Sequence, residues 1–175
     1  VTYPCSIMLI GVMNPCPCGY YGHPKRKCTC GPKQVKNYLS KISGPMLDRF
    51  DLHIEVAPVE FDDMSSDKKE ETSAEIRKRV QAARNIQSER FKNTNITCNA
   101  LITADKLQDM CPMDDNAREL LRNVFDKLGL SARAYDRILK VARTIADLDN
   151  QETIGKRHIA AAAQYRSLDR KYWSE

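Results

Sequence analysis

Apolar residues fill positions 7–13 almost without a break, a run of strand length that reads as a strand buried on both faces. Asn14-Pro15 closes it, because the residue before proline is steered to extended geometry and proline then removes a donor. After a cysteine-rich stretch the apolar period changes. Val35, Tyr38, Leu39 and Ile42 recur at helical spacing, with Pro32 suited to the first helical position and Ser43-Gly44-Pro45 as the stop. Leu52, Ile54 and Val56 then alternate with His53 and Glu55, which predicts a second strand.

Residues 58–71 lose all periodicity among prolines, serines and charges, and read as a flexible connector. Every later pattern is helical. Thr72 and Glu75 form a capping box for a helix reaching to about residue 91. Thr103 can cap a short helix ending before Pro112, and Asp114 another with Ala117, Leu120, Leu121, Val124, Phe125 and Leu128 inward. Gly129 is that helix's stop. Ser131 caps the next, whose inner face is Tyr135, Ile138, Leu139, Ala142, Ile145 and Ala146, and residues 156–166 make a last short helix.

The expected fold is mainly α: a partial α/β piece (residues 1–57, about two strands, one helix and a cysteine loop at 15–31), then an all-α bundle at 72–170 and a tail at 171–175. Two strands make a poor sheet, since a strand apolar on both faces needs neighbours on both edges. The chain also opens on Val1 with no methionine and no secretory leader, so the expectation is a piece of a larger cytoplasmic protein whose central sheet is cut through.

With 42% hydrophobic and 29% charged residues among 175, the composition is that of a globular chain rather than a disordered or fibrous one. No apolar run is long enough to span a bilayer as a helix, so no membrane partner is expected. The formal net charge of +5 is unevenly placed. No acidic residue precedes Asp48, while Lys25, Arg26, Lys27, Lys33, Lys36 and Lys41 give the first 47 residues +6 and leave the other 128 at −1. A block of one sign suits a polyanion such as nucleic acid or nucleotide phosphate. A solvated basic loop is the plainer alternative.

Seven cysteines are an odd number for a closed disulfide framework. Cys16-Pro-Cys18 and Cys28-Thr-Cys30 form two close pairs with nine residues between them, a spacing that can wrap one tetrahedral ion; four thiolates with no open position mean structural zinc. Pro15, Pro17 and Gly19 supply the turns, and His23 is a substitute ligand to be weighed against an exposed loop residue. A reduced loop without metal is the alternative. With zinc and four thiolates the block falls to about +4, and Lys25-Arg26-Lys27 projects from the loop tip as a candidate DNA contact. Cys5, Cys98 and Cys111 read as ordinary core or half-buried positions.

Three separated motifs carry a resemblance: residues 9–15 with the cysteine loop, Gly44-Pro-Met-Leu-Asp-Arg-Phe-Asp-Leu-His-Ile-Glu-Val56, and Leu130-Ser-Ala-Arg-Ala-Tyr-Asp-Arg-Ile-Leu-Lys-Val-Ala-Arg143. In this order they resemble the C-terminal part of the magnesium-chelatase-like AAA+ ATPases of the ComM/YifB type, over nearly the whole chain. From the residues alone, Asn14 is a turn asparagine before proline and Arg49 an ion-pair partner of Asp48 or Asp51. The resemblance implies instead that Asn14 is the sensor 1 residue and Arg49 the arginine finger that reaches a neighbouring subunit's nucleotide.

Arg133 matches the sensor 2 arginine. A cation in the first turn of a helix opposes the macrodipole unless an anion sits there, so the physics leans the same way. Arg137 and Lys140 share its face; Arg137 is a second candidate for the nucleotide, and Lys140 belongs to a solvated stripe.

The resemblance further implies ATP with Mg²⁺, a ring that is hexameric, and branched DNA as substrate. It also implies a sheet order in which the two strands seen here are not neighbours. No G-x-x-x-x-G-K-[ST] loop and no apolar run ending in paired acids occurs in these residues, so residues 1–175 alone are expected not to hydrolyse ATP. Two other functions remain open: a chelatase-like ATPase remodelling a protein partner for metal insertion, and a non-enzymatic zinc module binding nucleic acid or protein.

Overall fold

A computed structural model describes residues 7–59 and 70–166. Most of the expected connector, the tail and Cys5 lie outside the described residues. The architecture is mainly α. A short N-terminal part holds α1 (Pro32–Leu39) and α2 (Gly44–Leu47). A bundle follows, of α3 (Ser73–Arg90), α4 (Leu107–Met110), α5 (Asp115–Leu128), α6 (Ala132–Leu148) and α7 (Lys156–Gln164). Two 3₁₀ turns, Asn99–Leu101 and Ala104–Lys106, lead into α4.

Local chemistry sets the helix ends. Thr72 Oγ1 accepts from the Glu75 N–H while the Glu75 carboxylate accepts from the Thr72 N–H, which closes the capping box. Asp114 and Ser131 accept from the N–H groups three residues on, at 2.7 and 3.2 Å. Gly129 ends α5 in the left-handed region at φ 50°, where a side chain would be strained. Thr103 stands before the second 3₁₀ turn without a side-chain cap.

Helix α6 is the centre of the bundle, with α3 and α7 against it and α5 against α7. Ile138, Leu139, Ala142 and Ala146 of α6 are buried with Ala117 and Leu121 of α5, Ile159 and Ala162 of α7, and Phe91, Ile102, Leu107 and Cys111. Burial pushes the Cys111 thiol up to about 11, as suits a core position rather than a reactive one.

This core also holds charge. Asp147 receives Arg90, Arg143 through Nε at 3.1 Å, and Asn99 through Nδ2 at 2.7 Å. Arg143 also donates to the carbonyls of Gln151 and Glu152, fixing the turn between α6 and α7. Burial alone would raise the Asp147 pKa, but the bonds from Arg90 and Asn99 and the charge of Arg143 outweigh it and hold the carboxyl below its usual range.

The two expected strands are not formed. Among the described residues no strand ladder occurs, only an isolated parallel bridge between Met113 and Ile154. Residues 7–13 run out exposed, Val12 at 97%, because no second strand among the described residues lies beside them to take their backbone groups. In the second segment the His53 N–H is used elsewhere: it donates to the Tyr165 carbonyl at 2.8 Å, against the end of α7. The expected stop at Ser43 differs too. Helix α1 already ends at Leu39, and Ser43 caps α2 by accepting from the Met46 N–H at 3.3 Å.

Candidate functional site

The cysteine loop folds onto α1. Cys16 is fully buried with Val35 and Leu39, and Cys18, Cys28, Cys30 and Tyr38 pack around them. Gly19, at φ 84°, makes the turn that returns the chain after the first pair, with its N–H on the Cys16 carbonyl at 3.0 Å. All four Sγ atoms lie within 4.8 Å of one another. Three separations are 3.4 Å (Cys16–Cys18), 3.5 Å (Cys18–Cys28) and 3.7 Å (Cys16–Cys28). A tetrahedron of sulfurs about 2.3 Å from zinc has edges of about 3.8 Å, so this donor set fits the ion with little adjustment.

The surroundings suit thiolates. The Tyr21 N–H points at Cys16 Sγ (3.3 Å) and the Cys30 N–H at Cys28 Sγ (3.4 Å), the kind of outer hydrogen bond that orients sulfur ligands. Chiefly the Tyr20 N–H, with that of Thr29, draws the Cys18 thiol down to about 5. Cys28 is pushed up to about 12: its bond from the Cys30 N–H acts the other way, but lost hydration and the sulfurs of Cys18 and Cys16 prevail. Cys30 is raised as well, first by lost hydration. A thiolate at Cys18 holds back ionisation of Cys28 and Cys30, and a divalent cation removes that resistance.

His23 is not part of this set. Its Nδ1 accepts from the N–H groups of Lys25 and Arg26, both at 3.0 Å, and so shapes the loop tip. There Lys25, Arg26 and Lys27 are exposed, and Arg26 folds back over Tyr20, its guanidinium 5.3 Å from the ring and its Nη1 donating to the hydroxyl at 2.8 Å.

The second group of residues assembles where the segment after α2 meets the bundle. Ser131, the cap of α6, donates to Asp48 at 3.5 Å, and Arg49 and Arg133 each lie within two residues of that contact along the chain. Both are exposed. The Arg49 side chain makes one bond back to the Pro45 carbonyl (3.1 Å), and the side chain of Arg133 makes no hydrogen bond or ion pair among the described residues. The ion-pair role open to Arg49 is filled differently: Asp48 is taken by Arg166 and Asp51 by Arg137. Arg137 is thereby neutralised, and Lys140 donates to the Ala100 carbonyl at 3.2 Å.

Asn14 lies exposed at the foot of the cysteine loop, beside Gly19, and no hydrogen bond joins it to Arg49 or Arg133 among the described residues. Sequence reasoning missed Arg166 altogether, and it weighed Asp48 and Asp51 only as partners of Arg49. The repeated Asp in Asp48-Arg49-Phe50-Asp51 was the one signal for a charged contact on both sides.

Residues 70–166 match the family model described as magnesium chelatase, subunit ChlI C-terminal, and residues 1–64 match that of magnesium chelatase, subunit ChlI. The chain belongs to the magnesium-chelatase-like family. It is 40% identical to the uncharacterised protein YifB of Escherichia coli over 172 residues, covering 97% of this chain and 33% of that protein. It is 39% identical to the competence protein ComM of Haemophilus influenzae over 171 residues, 97% of this chain and 32% of the relative. An uncharacterised Mycobacterium tuberculosis protein, Rv2897c, is 33% identical over 164 residues, 94% of this chain and 32% of its own length. The chain thus spans about a third of the length of the curated relatives it matches. The family is one of AAA+ ATPases. Among the described residues no helix is long and apolar enough to cross a membrane.

Proposed function

We propose that this chain is part of a longer, cytoplasmic AAA+ ATPase that assembles as a hexameric ring and works on DNA. In that reading Asn14 is sensor 1, Arg49 the arginine finger and Arg133 the sensor 2 residue, acting on ATP with Mg²⁺ held by parts outside these residues. Residues 1–175 alone then have no phosphate cradle and turn over no ATP. The observation that carries the reading is a pair of exposed arginines, Arg49 and Arg133, each within two residues of the Asp48–Ser131 contact and with no acidic partner for either among the described residues. A guanidinium stays charged and grips phosphate oxygens with a planar fork, so two unpaired groups of this kind flanking one contact suit a polyphosphate. Arg137 would join them only with its Asp51 pair open.

Residues 7–13 and 52–56 serve, on this reading, as strands of a sheet completed by the rest of the protein, which explains apolar side chains standing in solvent. Zinc in the Cys16, Cys18, Cys28, Cys30 site is structural: it closes the loop and holds Lys25, Arg26 and Lys27 at its tip for the phosphates of DNA. The name of ComM, a competence protein, supports DNA, and branched DNA is the substrate we favour. The chelatase description of both family models favours the alternative of a protein partner remodelled for metal insertion. ATP hydrolysis by the full-length protein with and without branched DNA separates them. Stimulation by DNA supports the first reading, and an unchanged rate contradicts it.

A further inference from the structure

The side chain of Arg166, just beyond α7, is almost fully buried, 2% exposed, yet it serves no part of the hydrophobic core. Its Nη2 donates to Asp48 Oδ1 at 3.2 Å, and its Nη1 donates to the Phe50 carbonyl. Residues 48 and 50 are the two neighbours of Arg49 along the chain, so one guanidinium holds the side chain on one side of it and the backbone on the other. Arg49 itself stays exposed, its guanidinium resting on the Pro45 carbonyl at 3.1 Å. Two further contacts come from the same bundle: Ser131 Oγ to Asp48 Oδ2 at 3.5 Å, and the His53 N–H to the Tyr165 carbonyl at 2.8 Å. The turn that presents Arg49 is therefore fastened to the ends of α6 and α7.

We propose that Arg166 is a positioning residue for Arg49, setting the direction in which the exposed guanidinium is presented, so that the helical bundle and Arg49 move as one body. This rests on reading Arg49 as the arginine finger. The chemistry requires arginine. Its fixed fork offers separate N–H groups to a carboxylate and a carbonyl that lie on either side of one residue, whereas a lysine ammonium is a point charge on a flexible stem. A group acting on transferring phosphate is sensitive to placement, and about 1 Å of misplacement costs on the order of a hundredfold in rate.

The test uses ATP hydrolysis by the full-length protein carrying Arg49→Ala, Arg166→Lys, Arg166→Ala or the Arg49→Ala/Arg166→Ala pair. The expected result is a kcat at least tenfold lower for both Arg166 variants, with KM for ATP changed less than twofold, and a double variant no slower than Arg49→Ala alone. If Arg166 were merely structural, its variants would melt earlier while the folded protein kept its kcat, or the double variant would fall well below Arg49→Ala; either overturns the proposal. Wild-type kcat in Arg49→Ala would instead overturn the reading of Arg49, whatever Arg166 does. If Arg166→Ala does not fold, Asp48→Asn takes its place, because it keeps the shape and removes the charge that orients the guanidinium, and the same two outcomes decide.

Discussion

Arg137, one helical turn beyond Arg133, donates to the carboxylate of Asp51, 86 residues away in sequence. The pair is part of the seam that joins residues 44–53 to the bundle, and it occupies a cation that the sequence pattern offers to a phosphate. Asp51 is 61% exposed, which limits what the pair can contribute. A double-mutant cycle of Asp51→Ala and Arg137→Ala should give a coupling of at most about 1 kcal/mol in thermal or denaturant unfolding. A coupling well above that would mean that the seam excludes water from the pair.

The buried Asp147 should behave very differently. Asp147→Asn leaves Arg143, which is fully buried, without its counter-charge and should cost about 3–5 kcal/mol, read by urea unfolding. The pH dependence follows from the depressed carboxyl. Its folded pKa lies below the unfolded value, so the stabilisation is complete above the unfolded pKa, about 3.9, and is lost as pH falls through the folded one. The acid limb of a stability–pH curve should therefore be shallower in Asp147→Asn than in the wild type.

Metal analysis of protein purified without chelators should find one zinc per chain. Cys16→Ser should abolish it and expose the loop around Val35 and Leu39 to proteolysis, while the helical signal of the bundle persists, since the loop has its own small core. Zinc retained in that variant would remove Cys16 from the ligand set.

Replacing Lys25, Arg26 and Lys27 by Glu in the full-length protein should weaken DNA binding and flatten its dependence on salt. The slope of log K against log salt should drop by about one for each DNA phosphate that these side chains neutralise. An unchanged slope would show that the loop tip does not touch the DNA backbone.

Features governed by near neighbours were legible in the sequence. The caps at Thr72, Asp114 and Ser131 and the stop at Gly129 each depend on residues at most four positions away, and the cysteine site on two short pairs. The expected strands failed for the opposite reason, because residues 7–13 can be a strand only beside another strand, which local sequence does not show. Arg166 and Asp48 lie 118 residues apart, and nothing in the periodicity of either segment points to the other. Arg143 and Asp147 were within reach. Their i,i+4 spacing beside Ala142 and Ala146, on the inner face of α6, already marks a pair beside the core.

The claim that this edge of the bundle completes an ATPase site is tested most directly by kcat for ATP in the full-length protein with Arg49→Ala. If Arg49 reaches a neighbouring subunit's nucleotide, kcat should fall by about 10³-fold or more while ATP binding persists. A variant that hydrolyses ATP at the wild-type rate would contradict it.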